Sequence, residues 1–507
     1  MTGKNVAVAK FSDLKNGEMK EVSADGTNIL VARVEDKCYA VGANCPHYGA
    51  PLAEGFLSGT RIVCPWHHAC FDVTTGDLEE PPAFDSLPKF DLSIDGDEVI
   101  VHIPDNAPDR REPEFTIPAG NDSRVFVIVG GGAAGFMAAQ TLREDGFAGR
   151  IVMITREDRA PYDRPNLSKD YLHGHADPAW MPLRSDDFYA EREIEILFKT
   201  EVEKVDASAK TVVLKGGDTL GYDSLLIATG GIPRTLDLSG SDLKNIFVLR
   251  SFDSADEIIA AAETAQKVAV IGASFIGMEA ASSLTKRGKF VTVIAPDEVP
   301  FQKTLGREIG ELFQKEHEAN GVKFRLGSSV KGFDGDGYVR KVLLQSGEQI
   351  DADLVIAGVG VRPATDLLKG FDRHKDGGVI TDQFLSLGDD IYAAGDIVHF
   401  PDRRTGEHTR IEHWRTALQQ GRIAARNMAG KATAFTAVPF FWTTQFDVTL
   451  NYVGHAVEWD GITYDGDLGS KDFLAFYSKA GRILAVAGMN RDREIDIWEE
   501  KFRTGDA

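Results

Sequence analysis

The sequence has little cysteine. Of its 507 residues only Cys38, Cys45, Cys64 and Cys70 are cysteines, and none follows residue 70. A disulfide framework is therefore excluded for most of the chain, and so tight a cluster points to metal or redox chemistry. Long apolar runs are also missing. No stretch approaches the roughly 20 apolar residues needed to span a bilayer. The opening MTGKNVAVAKFSDLKNG lacks the sustained apolar core of a secretory signal. Positive charge is scarce: 56 Lys and Arg face 78 Asp and Glu, for a net charge of −22. Nucleic acid is thereby disfavoured as a partner, because phosphate recognition needs clustered cations. A cytoplasmic enzyme with no membrane span is the expectation. Its length suggests about three or four domains.

The cysteines that are present come with histidines. Two short arms, Cys45-x-His47 and Cys64-x-x-His67, each offer one thiolate and one imidazole. Zinc fingers usually group two cysteines and then two histidines. A Rieske 2Fe–2S centre instead needs two thiolates on one iron and two imidazoles on the other, which two mixed arms supply. Zinc remains the alternative. Pro46 and Pro65 stiffen the arms, while Gly49 and Gly55 allow tight turns. Cys38 and Cys70 read as small buried residues. The alternating runs NILVARVEDKCYAVG and LSIDGDEVIVHI predict an all-β domain over residues 1–104. Residues 105–122, rich in proline and charge, read as a linker.

Two glycine-rich turns follow. The apolar run Val125 to Val129 meets Gly130-x-Gly132-x-x-Gly135 and opens a helical pattern. In strand–turn–helix context this is a dinucleotide signature: the glycines allow a tight turn and close approach to a pyrophosphate at a helix N-terminus. Glu157 is the candidate ribose acid. A second unit begins at Lys267 with Gly272, Ser274 and Gly277, where serine replaces the middle glycine. Asp297 and Glu298 are candidates for its ribose hydroxyl, which leans the donor to NADH over NADPH.

Near the arms the sequence resembles the Rieske ferredoxin family. The respiratory branch of that family has a disulfide between two extra cysteines, but Ala50 and Trp66 stand at those positions here. The resemblance is therefore to the lower-potential branch. His68 stands where the family usually has glycine and is expected to be an exposed neighbour of the cluster. From about residue 124 to 500, the blocks PYDRPNLSKDYL, LLIATGG, IYAAGDIVHF and EHWRTALQQGRIAARNM resemble oxygenase-coupled ferredoxin reductases and apoptosis-inducing-factor proteins. Within that group the arrangement is similar to the subgroup with an N-terminal Rieske domain.

This resemblance implies a multidomain chain: an all-β Rieske domain, an α/β flavoprotein with two dinucleotide folds, and an α+β C-terminal domain. The FAD domain, 123–250 and 380–433, would be interrupted by an NAD domain at 251–379, with the last domain at 434–507. The cofactors would be FAD, a Rieske 2Fe–2S cluster and NADH or NADPH. Arg164 and Lys169 would pass the flavin, with Lys169 near N5 and Glu279 as its partner. Ala228, Thr229, Gly230 and Trp414 would line the FAD site, Asp396 would bind the ribityl chain, and Gly360 would approach the nicotinamide. Trp442 would contact the flavin or guide the nicotinamide, and His413 would be a wall residue. The segment around Lys169 has no cysteine, so a dithiol relay is excluded. The implied reaction passes hydride from NADH to FAD, then single electrons to the cluster and on to an oxygenase or cytochrome. The alternatives are an NADH oxidase and an NADH-sensing signalling protein. A monomer and a homodimer are both compatible with the sequence.

Overall fold

The computed structural model describes residues 2–115 and 122–506. The first part of the chain is all β. Its main sheet has six antiparallel strands in the spatial order Gly3–Lys10, Glu98–Pro104, Lys89–Asp95, Lys37–Gly42, Thr27–Val34 and Met19–Ala24. Side chains alternate across a strand. Ile29 and Val31 therefore enter one core with Ala40 and Phe90, while Leu30 and Ala32 enter another with Val41, Leu52 and Phe71. This second core contains Cys45 and Cys64. A smaller four-stranded sheet, Phe56–Ser58, Arg61–Val63, Cys70–Asp72 and Leu78–Glu80, carries the second arm between its middle strands.

The expected linker is partly packed, and its residues 116–121 lie outside the described residues. Ser86 and Arg111 exchange backbone hydrogen bonds of 2.8 and 2.9 Å. The Phe115 ring meets Phe188 edge-on, under the Arg192 guanidinium. Its charge and prolines suggested a spacer, but these contacts hold residues 105–115 to both neighbouring domains.

Two parallel sheets follow. The first runs Ile194–Leu197, Arg150–Ile154, Val125–Val129, Ser224–Ile227 and Ile391–Ala393, with Ser386–Gly388 antiparallel at the edge. The chain leaves this sheet after Ile227 and returns at Ser386. In between it builds the second sheet: Ile246–Phe247, Leu354–Ala357, Lys267–Ile271, Phe290–Ile294 and Lys323–Arg325. Helices cover both faces of such sheets, so their strands read as nearly continuous apolar runs. The expected division at residue 250 comes late by strand pairing. Ile246–Phe247 already hydrogen-bonds within the second sheet, a partnership that no local signal in a two-residue strand announces.

The helix Ala133–Glu144 crosses Trp414–Met428 closely, because Gly421 lacks the β-carbon that would stand 2.2 Å from the Ala134 carbonyl oxygen. The last part of the chain is a five-stranded antiparallel sheet, Phe440–Gln445, Val448–Gly454, Arg482–Met489, Asp472–Lys479 and Gly461–Asp467, followed by the helix Asp492–Thr504. Among the described residues no helix is long and apolar enough to cross a membrane.

Candidate functional site

The two cysteine–histidine arms fold alike. Gly49 N–H donates to the Cys45 carbonyl at 2.9 Å, and His68 N–H donates to the Cys64 carbonyl at 3.1 Å. Cys45 and Cys64 in turn donate their N–H groups to Ala50 and Ala69, both at 2.9 Å. The turn needs a residue with positive φ at its fourth step. Gly49 supplies φ +80° in the first arm, and His68 adopts +58° in the second.

Facing each other, the arms bring His47 Nδ1 to 3.2 Å from His67 Nδ1. Two imidazoles about 2.1 Å from one tetrahedral metal would stand about 3.4 Å apart, so the pair suits a shared iron. Burial holds the His47 imidazole neutral, down to about 3, and pushes His67 the same way; the neutral ring is the ligating form. Burial also pushes the Cys64 thiol up, with Cys45 beside it adding to the rise. The thiolate a cluster requires must then be held by the metal charge itself. The four donors do not gather within 4.8 Å of one another as they would around a single ion. Two irons fit this spacing better than one zinc.

Among the described residues, one set of metal-capable side chains is that compact: His374, Asp376 and His399. Arg410 Nε binds Asp376 at 2.7 Å and His399 Nε2 lies 3.0 Å from it, so this carboxylate is already neutralised within the protein.

His68 departs from the sequence expectation. It is fully buried, not exposed. Its ring stacks on Phe440 with centroids 3.6 Å apart. Nδ1 is hydrogen-bonded to Glu499, and Nε2 lies 3.1 Å from Asp496 Oδ1. Both acids belong to the last helix, some 430 residues away. Arg415, also fully buried, donates to the His68 carbonyl at 2.9 Å and pairs with Glu499 at 2.9 Å and Glu80 at 3.1 Å. Burial disfavours ionised Glu499, but Arg415 and His68 outweigh it and hold the carboxyl down to about 2. Burial pushes Asp496 well up. Arg61 reaches Glu500 at 3.1 Å, and Arg493 donates to the Gly55 carbonyl at 2.8 Å. The N-terminal β domain is thus docked on the rest of the chain through charged groups that sequence separation conceals.

That docking brings the arms to the expected flavin wall. The His67 and Trp442 ring centroids lie 4.4 Å apart, and His413 meets Trp442 edge-on with centroids 5.1 Å apart. The Tyr48 hydroxyl is hydrogen-bonded to Asp163. Lys169 Nζ lies 2.9 Å from Glu279 Oε2, which also accepts from Ser168 Oγ at 2.6 Å. The other Glu279 oxygen accepts from Thr443 Oγ1 at 2.8 Å, and Gln445 then connects Thr443 to His317. Burial, with Lys169 and Arg415 adding to it, keeps His413 neutral, down to about 3. His413 also caps its helix by accepting the Arg415 N–H. Trp414 packs half-buried on the core around the first parallel sheet.

The glycine turns have the shape that the sequence predicts. A β-carbon at Gly130 would stand 2.1 Å from the Ala228 carbonyl oxygen, and one at Gly135 would stand 1.9 Å from that of Gly130. At Gly132, where the helix begins, the space is open. This is a cradle in which backbone N–H groups can meet a pyrophosphate, so the site fits FAD. Gly230 lies beside Arg250 and Asp396, which pair at 2.8 Å. Thr229 Oγ1 donates to the Ala364 carbonyl. Glu157 accepts from Arg164 at 2.8 Å and from Tyr162 at 2.5 Å. In the second fold, Gly272 and Gly277 repeat the close packing, Ser274 stands at the helix N-cap position without a side-chain capping bond, and Gly360 is exposed beside open space at φ +89°. Asp297 and Glu298 each carry a cation, Lys303 at 3.1 Å and Arg307 at 2.7 Å.

Comparison with known proteins matches these parts in order. The pyridine nucleotide-disulphide oxidoreductase family matches residues 124–421, the Rieske [2Fe-2S] domain residues 4–91, and the reductase C-terminal family residues 440–505. Apoptosis-inducing factor 3 of Homo sapiens is 37% identical over 513 residues, spanning 99% of this chain and 84% of its own length. Putidaredoxin reductase of Pseudomonas putida is 33% identical over 377 residues, 73% of this chain and 89% of its own. The solved covalent putidaredoxin reductase–putidaredoxin complex superposes with a TM-score of 0.73 at 31% identity, covering 76% of this chain and 94% of that one.

Proposed function

Because the chain belongs to the pyridine nucleotide-disulphide oxidoreductase family and carries a Rieske domain on the same polypeptide, we propose that it is an NAD(P)H-dependent ferredoxin reductase with its ferredoxin built in. It is an FAD-dependent oxidoreductase, and FAD, a 2Fe–2S cluster and NAD(P)H are its cofactors. When bound, the flavin accepts hydride from NAD(P)H and returns electrons one at a time, and the cluster carries single electrons. The observation that carries the reading is the 4.4 Å ring contact between His67 and Trp442.

The remaining roles belong to the protein. Gly130, Gly132 and Gly135 present backbone to the FAD pyrophosphate, and Gly272, Ser274 and Gly277 do the same for NAD(P)H. Glu157 takes the FAD ribose, with Arg164 fixing its carboxylate, and Asp396 takes the ribityl chain. Ala228, Thr229, Gly230 and Trp414 complete the FAD wall, and Gly360 leaves room for the nicotinamide. Glu279 fixes the Lys169 ammonium, which stabilises negative charge developing beside it. Trp442 stands between the flavin side and His67 and excludes water from the gap. Cys45, His47, Cys64 and His67 hold the cluster. No cysteine lies between Pro161 and Leu172, so this chain does not use the dithiol in its family's name.

The electrons leave for an external redox protein, an oxygenase or a cytochrome, as the names of the reductase relatives suggest. A cytoplasmic location belongs to the same proposal: none of the four cysteines is in a disulfide, which suits a reducing compartment. The match to apoptosis-inducing factor 3 along 99% of the chain favours a second reading, an NADH sensor. Anaerobic titration of the holoprotein with NADH separates the two, with flavin absorbance and the cluster's paramagnetic signal followed together. The reductase reading expects both centres to be reduced within turnover time. A reduced flavin beside an oxidised cluster, with a changed oligomeric state, would support the sensor instead.

A further inference from the structure

The buried network around His68 supports an inference that rests on the reductase reading and extends it. We propose that His68 is a positioning residue: its imidazole latches the second cluster arm to the C-terminal helix and so holds His67 against Trp442.

Three observations support this latch. The backbone at His68 is left-handed, as at Gly49 in the matching turn of the other arm. A β-carbon is disfavoured there, so a side chain at this step must make contacts that offset the strain. Its ring meets groups across the domain boundary: Phe440, with centroids 3.6 Å apart, the Glu499 carboxylate and Asp496. Finally, Arg415 joins the same group and binds Glu80 of the Rieske domain as well as Glu499 of the last helix. Without the imidazole, Glu499 would be left buried with one fewer partner, a strong push toward separating the surfaces. His67 is the next residue in the chain, so its ring position depends on where His68 is fixed.

The test uses His68→Gly, which keeps the left-handed turn and removes the ring, and Glu499→Gln on the opposite surface. Each holoprotein is mixed anaerobically with NADH, and flavin bleaching and cluster reduction are timed separately. A displacement of an ångström or so costs about tenfold to a hundredfold in a proximity-dependent step. Cluster reduction should therefore slow by about tenfold or more in each variant. Flavin bleaching should stay as in wild type, because the latch does not touch the hydride step, and the cluster should still load and keep a Rieske-type paramagnetic signal, because neither variant removes an iron ligand. The double variant should be little worse than the single ones, since both break one link. Wild-type rates of cluster reduction in both variants overturn the latch. Failure of both variants to load a cluster also overturns it, since His68 would then serve the arm's own fold. If the wild-type cluster is not reduced by NADH at all, the built-in relay fails instead.

Discussion

At the scale of single residues, the sequence was most informative where chemistry is local. Cys45, His47, Cys64 and His67 announce a metal by type and spacing, and Gly130, Gly132 and Gly135 announce a phosphate turn by their place between strand and helix. His68 could not be read this way. Its meaning comes from Glu499 and Asp496, and its left-handed backbone, costing roughly 1 kcal/mol for a residue with a β-carbon, leaves no mark in sequence. Glu279 lies between these cases. The resemblance paired it with Lys169, but Ser168 and Thr443 appear beside it only in the fold. Replacing Glu279 with Gln removes the charge that fixes Lys169 while keeping the shape. Stopped-flow bleaching at saturating NADH should slow by about tenfold to a hundredfold, with KM changed by less than about threefold. His317, at the end of the same chain of hydrogen bonds, gives a pH test. Burial lowers it from 6.5 to about 4, against the opposing pull of Gln445. The unfolded chain takes the proton first on acidification, so this stabilisation is complete above pH 6.5 and is lost as pH falls toward 4. The share is about 3 kcal/mol. Denaturation midpoints measured from pH 7 to 4 should fall less steeply in His317→Gln than in wild type.

At the scale of elements, strands and helices followed their patterns, whereas divisions between units did not. Ile246–Phe247 is too short to show its sheet by periodicity, and the proline-rich 105–115 gained partners that composition does not report. The last helix is the instructive case. Asp492, Asp496, Glu499 and Arg503 follow helical spacing, and Asp496 and Glu499 are 0% and 2% exposed. A charged stripe looks the same whether water or a second domain covers it. Helix crossings depend on single atoms. Gly421→Val would drive the helices Ala133–Glu144 and Trp414–Met428 apart, because its β-carbon would meet the Ala134 carbonyl at 2.2 Å. The expected cost is about 3 kcal/mol. It should appear as a lower denaturation midpoint and as a lower FAD content after purification, since one of the two helices begins at the pyrophosphate cradle.

At the scale of the whole molecule, the order of domains was legible because each carries its own local signature, but their docking was not. The interface pairs Tyr48 with Asp163, Arg61 with Glu500 and His67 with Trp442, each more than a hundred residues apart. A docked carrier predicts first-order behaviour. Diluting the holoprotein about tenfold should leave the rate constant for cluster reduction by NADH unchanged, whereas two separate proteins would slow in proportion to their encounter rate. The contact between His67 and Trp442 also bears on traffic inside a cell. On the proposed reading, a seat already filled by a tethered carrier is closed to free ones, so adding an unrelated ferredoxin should not speed NADH oxidation. What the fusion would then secure is privacy: electrons drawn from NAD(P)H would leave by one door, and only partners that recognise that door would need matching.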